Sequence, residues 1–122
     1  MTNPIASWPT YVLDCPDARV LADFYAGLTG LPAAYDPEDG WAEVDNGQRS
    51  TLAFQEVSDY NPPEWPGQDV PQQAHLDFYV NDLDAGEAAV LALGARKHDV
   101  QPGTSFRVFL DPAGHPFCLC QE

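Results

Sequence analysis

Apolar and polar positions along this chain follow two rhythms, a short alternation of period two and a longer spacing of three to four, and the same order of rhythms occurs twice. Trp8 to Cys15 is short, β-branched and aromatic, and Cys15-Pro16-Asp17 closes it, which predicts a strand ending just before a helix. From Asp17, Val20, Leu21, Phe24, Tyr25 and Leu28 recur at helical spacing until Gly30 stops them. Three short segments follow: Leu31–Tyr35 bounded by Pro37, Trp41–Asp45 bounded by Asn46-Gly47, and Ser50–Val57. Asn-Gly is a hairpin signal because both turn positions tolerate positive φ.

Residues 58–72 hold Pro62, Pro63, Pro66 and Pro71, with Tyr60 and Trp65 among them. Proline fixes φ and removes a donor, so this stretch reads as an extended linker. The order then restarts. Gln73–Val80 alternates like a strand, with Leu76, Phe78 and Val80 on one face and His75, Asp77 and Tyr79 on the other. Asp84 and Glu87 suggest a capping box for a helix running to Leu93 and stopping at Gly94. Arg96-Lys97-His98, Ser105–Leu110, the turn Asp111-Pro112-Ala113-Gly114, and Phe117–Cys120 complete the second half.

Both halves thus read strand–helix–strand–strand–strand: module 1 over about 8–57, the linker over 58–72, and module 2 over about 73–120. Asp17 and Asp82 lie 65 positions apart, as do Leu28 and Leu93. The expected fold class is α+β, one domain built from two related units whose sheets form a cup. Two unrelated α/β hairpins in series would give a similar pattern.

Composition narrows the function classes. The 122 residues carry 19 acidic side chains against 5 Lys and Arg, a formal charge of −14. Such a surface repels phosphate backbones and anionic bilayers, which argues against nucleic-acid and membrane partners. Hydrophobic residues make up 44%, enough for a packed core. Met1 to Trp8 has no Lys, Arg or long apolar run, so no signal peptide is expected there. No stretch approaches the roughly 20 apolar residues of a membrane span. Cys15, Cys118 and Cys120 are expected to be reduced thiols, and the protein cytoplasmic.

Two motifs point to a family. Phe109-Leu110-Asp111-Pro112-Ala113-Gly114-His115-Pro116-Phe117 resembles the Asp-Pro-x-Gly hairpin near the end of glyoxalase/bleomycin-resistance domains. His75-Leu76-Asp77-Phe78-Tyr79-Val80-Asn81-Asp82-Leu83 is similar to the opening of their second module. The resemblance, to the vicinal oxygen chelate superfamily, covers nearly the whole chain. It implies two βαβββ modules forming a half-open barrel with the helices outside, and often a homodimer. It also implies, in many members, a divalent metal held by one residue from each of four strands.

Placed on that pattern, His75 matches one ligand position, Thr10 stands at its first-module equivalent, Cys118 replaces a Glu, and the fourth place falls on Ala53 or Gln55. A metal needs several convergent donors, so no tightly held metal is expected; His75 and Cys118 are weak candidates if a divalent metal binds. Asp77, on the face of His75, is a further donor the pattern does not require.

Strand alternation is read as aiming Thr10, Val12, Asp14, Gln55, His75, Asp77, Tyr79, Arg107 and Cys118 into the cup, with Trp41, Trp65 and Tyr60 as an apolar wall. Each has a structural alternative. His75 would hydrogen-bond Asp77 or Gln55, Arg107 would neutralise Asp14 or Asp77, and Trp8, Trp41 and Trp65 would fill a core or dimer interface. His115 would order its hairpin, while Cys118 and Cys120 would point to opposite faces or lie buried. No nucleophile–base pair and no phosphate-cradling Gly loop is apparent. The function expected is binding of a small planar or aromatic molecule in the cup, a sequestration like that of the family's resistance proteins. The alternatives are a metal-dependent lyase, isomerase or dioxygenase, and an interaction module with a filled cup.

Overall fold

A computed structural model describes residues 4–6 and 9–122; Trp8 lies outside the described residues. The chain order is β1 (Tyr11–Cys15), α1 (Ala18–Thr29), β2 (Ala33–Asp36), β3 (Trp41–Asp45) and β4 (Ser50–Glu56). It then repeats as β5 (Leu76–Val80), α2 (Leu83–Leu93), β6 (Arg96–Lys97), β7 (Phe106–Leu110) and β8 (Pro116–Gln121). Between β4 and β5 there is no helix or strand.

Local chemistry sets both helices. The Asp17 carboxylate accepts from the Arg19 and Val20 amides, and Asp82 accepts from those of Asp84 and Ala85. Each therefore satisfies amides the first turn leaves unpaired. Gly30 and Gly94 end the helices at φ of 75° and 112°, a left-handed conformation that favours glycine. The expected capping box is corrected here: Asp82 is the cap, and Asp84 and Glu87 are turned to another task described below.

The two sheets have the orders β1-β4-β3-β2 and β5-β8-β7-β6, with the first pair parallel in each and the rest antiparallel. The fold is therefore α+β: two open four-stranded mixed sheets, each a βαβββ module, forming a cup with helices on the opposite faces.

One core serves both modules. From α1, Tyr25 stacks on Phe54 of β4 at 5.6 Å and meets Phe117 of β8 and Phe78 of β5 at 6.3 and 6.1 Å. Tyr25 Oη donates to Asp111 Oδ2 at 2.6 Å, and Asp111 is 1% exposed. The other carboxylate oxygen accepts from the Ala113 and His115 amides, which fixes the Asp-Pro-Ala-Gly turn. Burial raises the Asp111 pKa above the ordinary carboxylate range, and burial beside Asp111 raises that of Tyr25. The turn is locked from outside too. Gly114 has φ +89, and a Cβ there would lie 2.9 Å from Pro62.

His115 extends the joint. Because the Asp14 carbonyl can only accept, His115 Nε2 is the donor at 2.6 Å, and Tyr60 Oη donates to the Ala113 carbonyl at 2.8 Å. Tyr60, expected in the cup wall, is thus a strut between the connection and the hairpin.

Candidate functional site

A cavity of about 330 Å³ lies on the cup face of the second sheet. Its floor follows from strand parity. Phe117 and Leu119 of β8 enter the core, so Pro116, Cys118 and Cys120 face the other way. The register pairs Val108 with Cys118 and Phe106 with Cys120, which adds those two side chains to the floor. Trp65 and Gln72, from the connection between the modules, line the opposite side. Trp65 is held by the β6–β7 region. His98 Nε2 donates to the Trp65 carbonyl at 2.9 Å, its Nδ1 accepts from the Val100 amide, and the two rings meet edge-on at 5.0 Å. Gln101 bonds both the amide and carbonyl of Val108 and the carbonyl of His98, tying this support to β7.

The polar part of the lining is small. His75 Nε2 lies 3.2 Å from Asp77 Oδ1, and both side chains are more than two-fifths exposed. Cys118 is 6% exposed. Burial first, then the adjacent Asp77 charge, pushes its thiol up to about 12, so it stays protonated at neutral pH. Gln72 Oε1 is buried without a hydrogen-bond partner. Among the described residues no Lys or Arg lines this cavity.

The structure brings together His75, Asp77, Cys118 and Trp65 from the expected set. Val12, Asp14 and Tyr60 meet at a different cavity, of about 500 Å³, along β1, and the remaining expected residues line neither. Arg107 is a correction: β7 pairs it with Leu119, a core residue, so it lies on the helix face. There it donates to Asp84 Oδ1 at 2.8 Å and Glu87 Oε1 at 3.1 Å, while Lys97 Nζ also reaches Glu87 at 3.0 Å. The partners are therefore α2 carboxylates, not Asp14 or Asp77. Opposite faces for Cys118 and Cys120 is a second correction: two residues apart on one strand, they share a face, and Cys118 is buried there as the other alternative had it. Tyr79 is 70% exposed and outside the cavity. Trp41 and Gln55 pair with each other on the first sheet, where Trp41 Nε1 donates to Glu43 Oε2 at 3.2 Å.

Sequence reasoning missed Phe106, Val108, Gln72 and His98. Phe106 and Val108 were available by counting back across the Asp-Pro-Ala-Gly hairpin from Cys120 and Cys118. Gln72 and His98 carried no local signal.

The register also settles the equivalences between modules. Asp77 pairs with Cys118 as Val12 pairs with Ala53, so the fourth place implied by the resemblance is Ala53 rather than Gln55. The donors His75, Asp77 and Cys118 stand opposite Thr10, Val12 and Ala53 in the repeat. Ala53 has no donor atom, and the Thr10 hydroxyl donates to the Ser50 carbonyl. The side chains do not fit a four-strand metal site. One ligand atom each from His75, Asp77 and Cys118 does lie within 4.8 Å of the others, a three-donor set in one module.

Comparisons with known proteins agree with this architecture. The glyoxalase-like domain profile matches residues 10–120. No curated protein sequence matches. A glyoxalase/bleomycin resistance protein/dioxygenase family enzyme from Burkholderia phytofirmans PsJN superposes with a TM-score of 0.66 at 16% identity, covering 92% of this chain and 95% of its own. A fosfomycin resistance protein from Mesorhizobium loti gives 0.65 at 16%, covering 98% and 94%. The genomically encoded fosfomycin resistance protein of Listeria monocytogenes gives 0.69 at 14%, covering 98% and 95%. With two βαβββ modules, an open cup and a match over residues 10–120, this chain belongs to the glyoxalase-like domain family of the vicinal oxygen chelate superfamily.

Proposed function

We propose that this protein binds a small planar, largely apolar molecule in the cavity between the second sheet and Trp65, and holds it rather than converting it. The observation that carries this reading is the cavity: about 330 Å³, walled by Trp65, Phe106, Val108 and the two cysteines, with His75 and Asp77 clustered beside Cys118 in its lining. That volume and that distribution of polarity are those of small-molecule sites. Trp65 supplies a broad flat surface for stacking, and the thiol of Cys118, protonated at neutral pH, is a poor nucleophile.

Screening of a library of planar aromatic fragments by protein-observed NMR tests the reading. Shifts should cluster at Trp65, Phe106 and Cys120, and Trp65→Ala should weaken any hit by about tenfold or more, the usual cost of removing a central aromatic anchor. Hits that ignore Trp65→Ala, or no hits at all, would sink it.

A second reading rests on the three-donor set. His75, Asp77 and Cys118 would hold a borderline ion such as zinc, as in a metal-dependent lyase, isomerase or dioxygenase. Such an ion would act as a Lewis acid on a bound oxygen, and the residues' own part is to bind and orient it. Cobalt(II) titration separates the readings. A thiolate-to-metal absorption band lost in Cys118→Ser favours the metal, and its absence favours the metal-free site.

The protein is further inferred to act as a homodimer in a reducing cytoplasm. Exposed Tyr11, Val12 and Tyr79 support the first, and the free state of Cys15, Cys118 and Cys120 supports the second. Among the described residues, no helix is long and apolar enough to cross a membrane. Light scattering of the purified protein checks the dimer.

A further inference from the structure

We infer that the occupant of this cavity is a planar cation carrying hydrogen-bond donors, such as an aromatic amine or amidine, and that Asp77 is its anchor. The inference rests on the proposed binding site and names the ligand class that site selects. Two side-chain oxygens in the cavity lining, on Asp77 and Gln72, keep acceptor capacity for a ligand. Asp77 meets His75 Nε2 at 3.2 Å through one oxygen, which leaves part of its carboxylate unused, since an ionised carboxylate offers about four acceptor positions. Gln72 Oε1 is buried with no partner, a position that costs free energy until a donor reaches it. Both residues line the cavity.

The cationic side chains lie elsewhere. Arg107, which could have received a carboxylate, is turned to the opposite face and engaged by Asp84 and Glu87. Lys97 is engaged by Glu87. A ligand carboxylate or phosphonate would therefore bring its charge beside Asp77 with no Lys or Arg in the lining to meet it, inside a molecule of formal charge −14. A cation meets the opposite situation, with a charge-assisted bond to Asp77 and a donor for Gln72. The edge of the apolar wall adds to this, because the Trp65 face also favours cations.

Three probes of one shape test this: 1-naphthylmethylammonium, 1-naphthalenemethanol and 1-naphthoate, titrated by calorimetry against the full chain. The expected order is ammonium, then alcohol, then carboxylate, with about a tenfold advantage for the ammonium over the alcohol. Repeating the titrations in 0.5 M NaCl screens the diffuse field of the acidic surface, since the Debye length falls to roughly 4 Å. The preference should survive, because the contact with Asp77 is direct. Asp77→Asn should bring the ammonium to the affinity of the alcohol. Gln72→Met should weaken ammonium and alcohol alike by severalfold while sparing the naphthoate, and it serves as the second variant should Asp77→Asn disturb the fold. Equal binding of the three probes, tighter binding of naphthoate, or a preference that outlives Asp77→Asn overturns the ligand class and leaves the cavity as a binding site. Failure of all three to bind overturns both.

Discussion

In the second module His75, Asp77 and Cys118 meet in the lining of a cavity, while 65 positions earlier the equivalent places carry Thr10, Val12 and Ala53. The opposite faces of the same strands tell another story. Leu13 and Phe78, Leu52 and Phe117, and Phe54 and Leu119 are apolar at matching positions, and Asp17 and Asp82 cap both helices. The packing side of the duplicated unit is kept because each module must bury it against its helix and its neighbour. The cup side is not needed for folding, so its two copies are free to differ. A second asymmetry adds to the first: the connection between modules places Trp65 and Gln72 over the second sheet's cavity.

The largest expected effect breaks the comparison at what the halves share. Phe117 lies at the centre of the joint aromatic cluster, within 5.7 Å of Phe24 and of Phe109 and 6.1 Å of Phe78. Phe117→Ala should cost about 3–5 kcal/mol. Urea denaturation followed by near- and far-ultraviolet circular dichroism should show one transition, since both modules lose their common core together. Two separated transitions would mean the halves are stable alone.

At the level of the cavity the modules should part. Trp65→Ala should weaken a bound aromatic fragment by about tenfold or more, while Trp41→Ala, on the first sheet, should leave binding unchanged. Equal losses would place ligand across both cup faces.

Next comes the bond across the joint. Tyr25→Phe removes the donor to Asp111 Oδ2 and should destabilise the protein by about 1–3 kcal/mol. The pH dependence has a definite sign. The folded Asp111 holds its proton more tightly than the unfolded chain does. Its contribution is fully present below the ordinary carboxylate range and is lost as pH rises through its elevated value. Asp111→Asn should flatten that part of the stability profile, and a profile unchanged by the substitution would remove Asp111 from it.

The smallest effect is read as a rate. Burial holds Cys15 and Cys118 up to about 12, whereas Cys120 is raised less and is more accessible. Mass-resolved iodoacetamide labelling at neutral pH should modify Cys120 first, and a fragment bound beneath Trp65 should slow it. Faster labelling of Cys118 would contradict the buried, protonated thiol.

Much of the fold was legible because its signals are local. Asp17 and Asp82 before apolar runs, Gly30 and Gly94 after them, and Asn46-Gly47 between two strands each specify backbone geometry within a few residues. The cup was legible only in part. His75 and Asp77 could be paired from alternation on one strand, and their 3.2 Å approach follows from it. Arg107 was misplaced because its face depends on the parity of a hairpin, and a one-residue error in register reverses every side chain. Counting across the turn from Leu110 opposite Pro116 gives the parity that puts Arg107 beside Leu119. The motif around Asp111 was read as a family mark, and its physical role is the joint with Tyr25.

By itself, then, the sequence determined the duplicated βαβββ order, the helix limits and the apolar faces, since capping, turn chemistry and periodicity act over neighbouring residues. Only the tertiary structure decided which half carries the cavity lined by Trp65. It folded the proline-rich connection back so that Trp65 rests on His98 and Gln72 faces the second sheet, and it turned Arg107 toward α2. Those contacts join residues 20 to 33 positions apart in the chain, a separation over which no local pattern carries information.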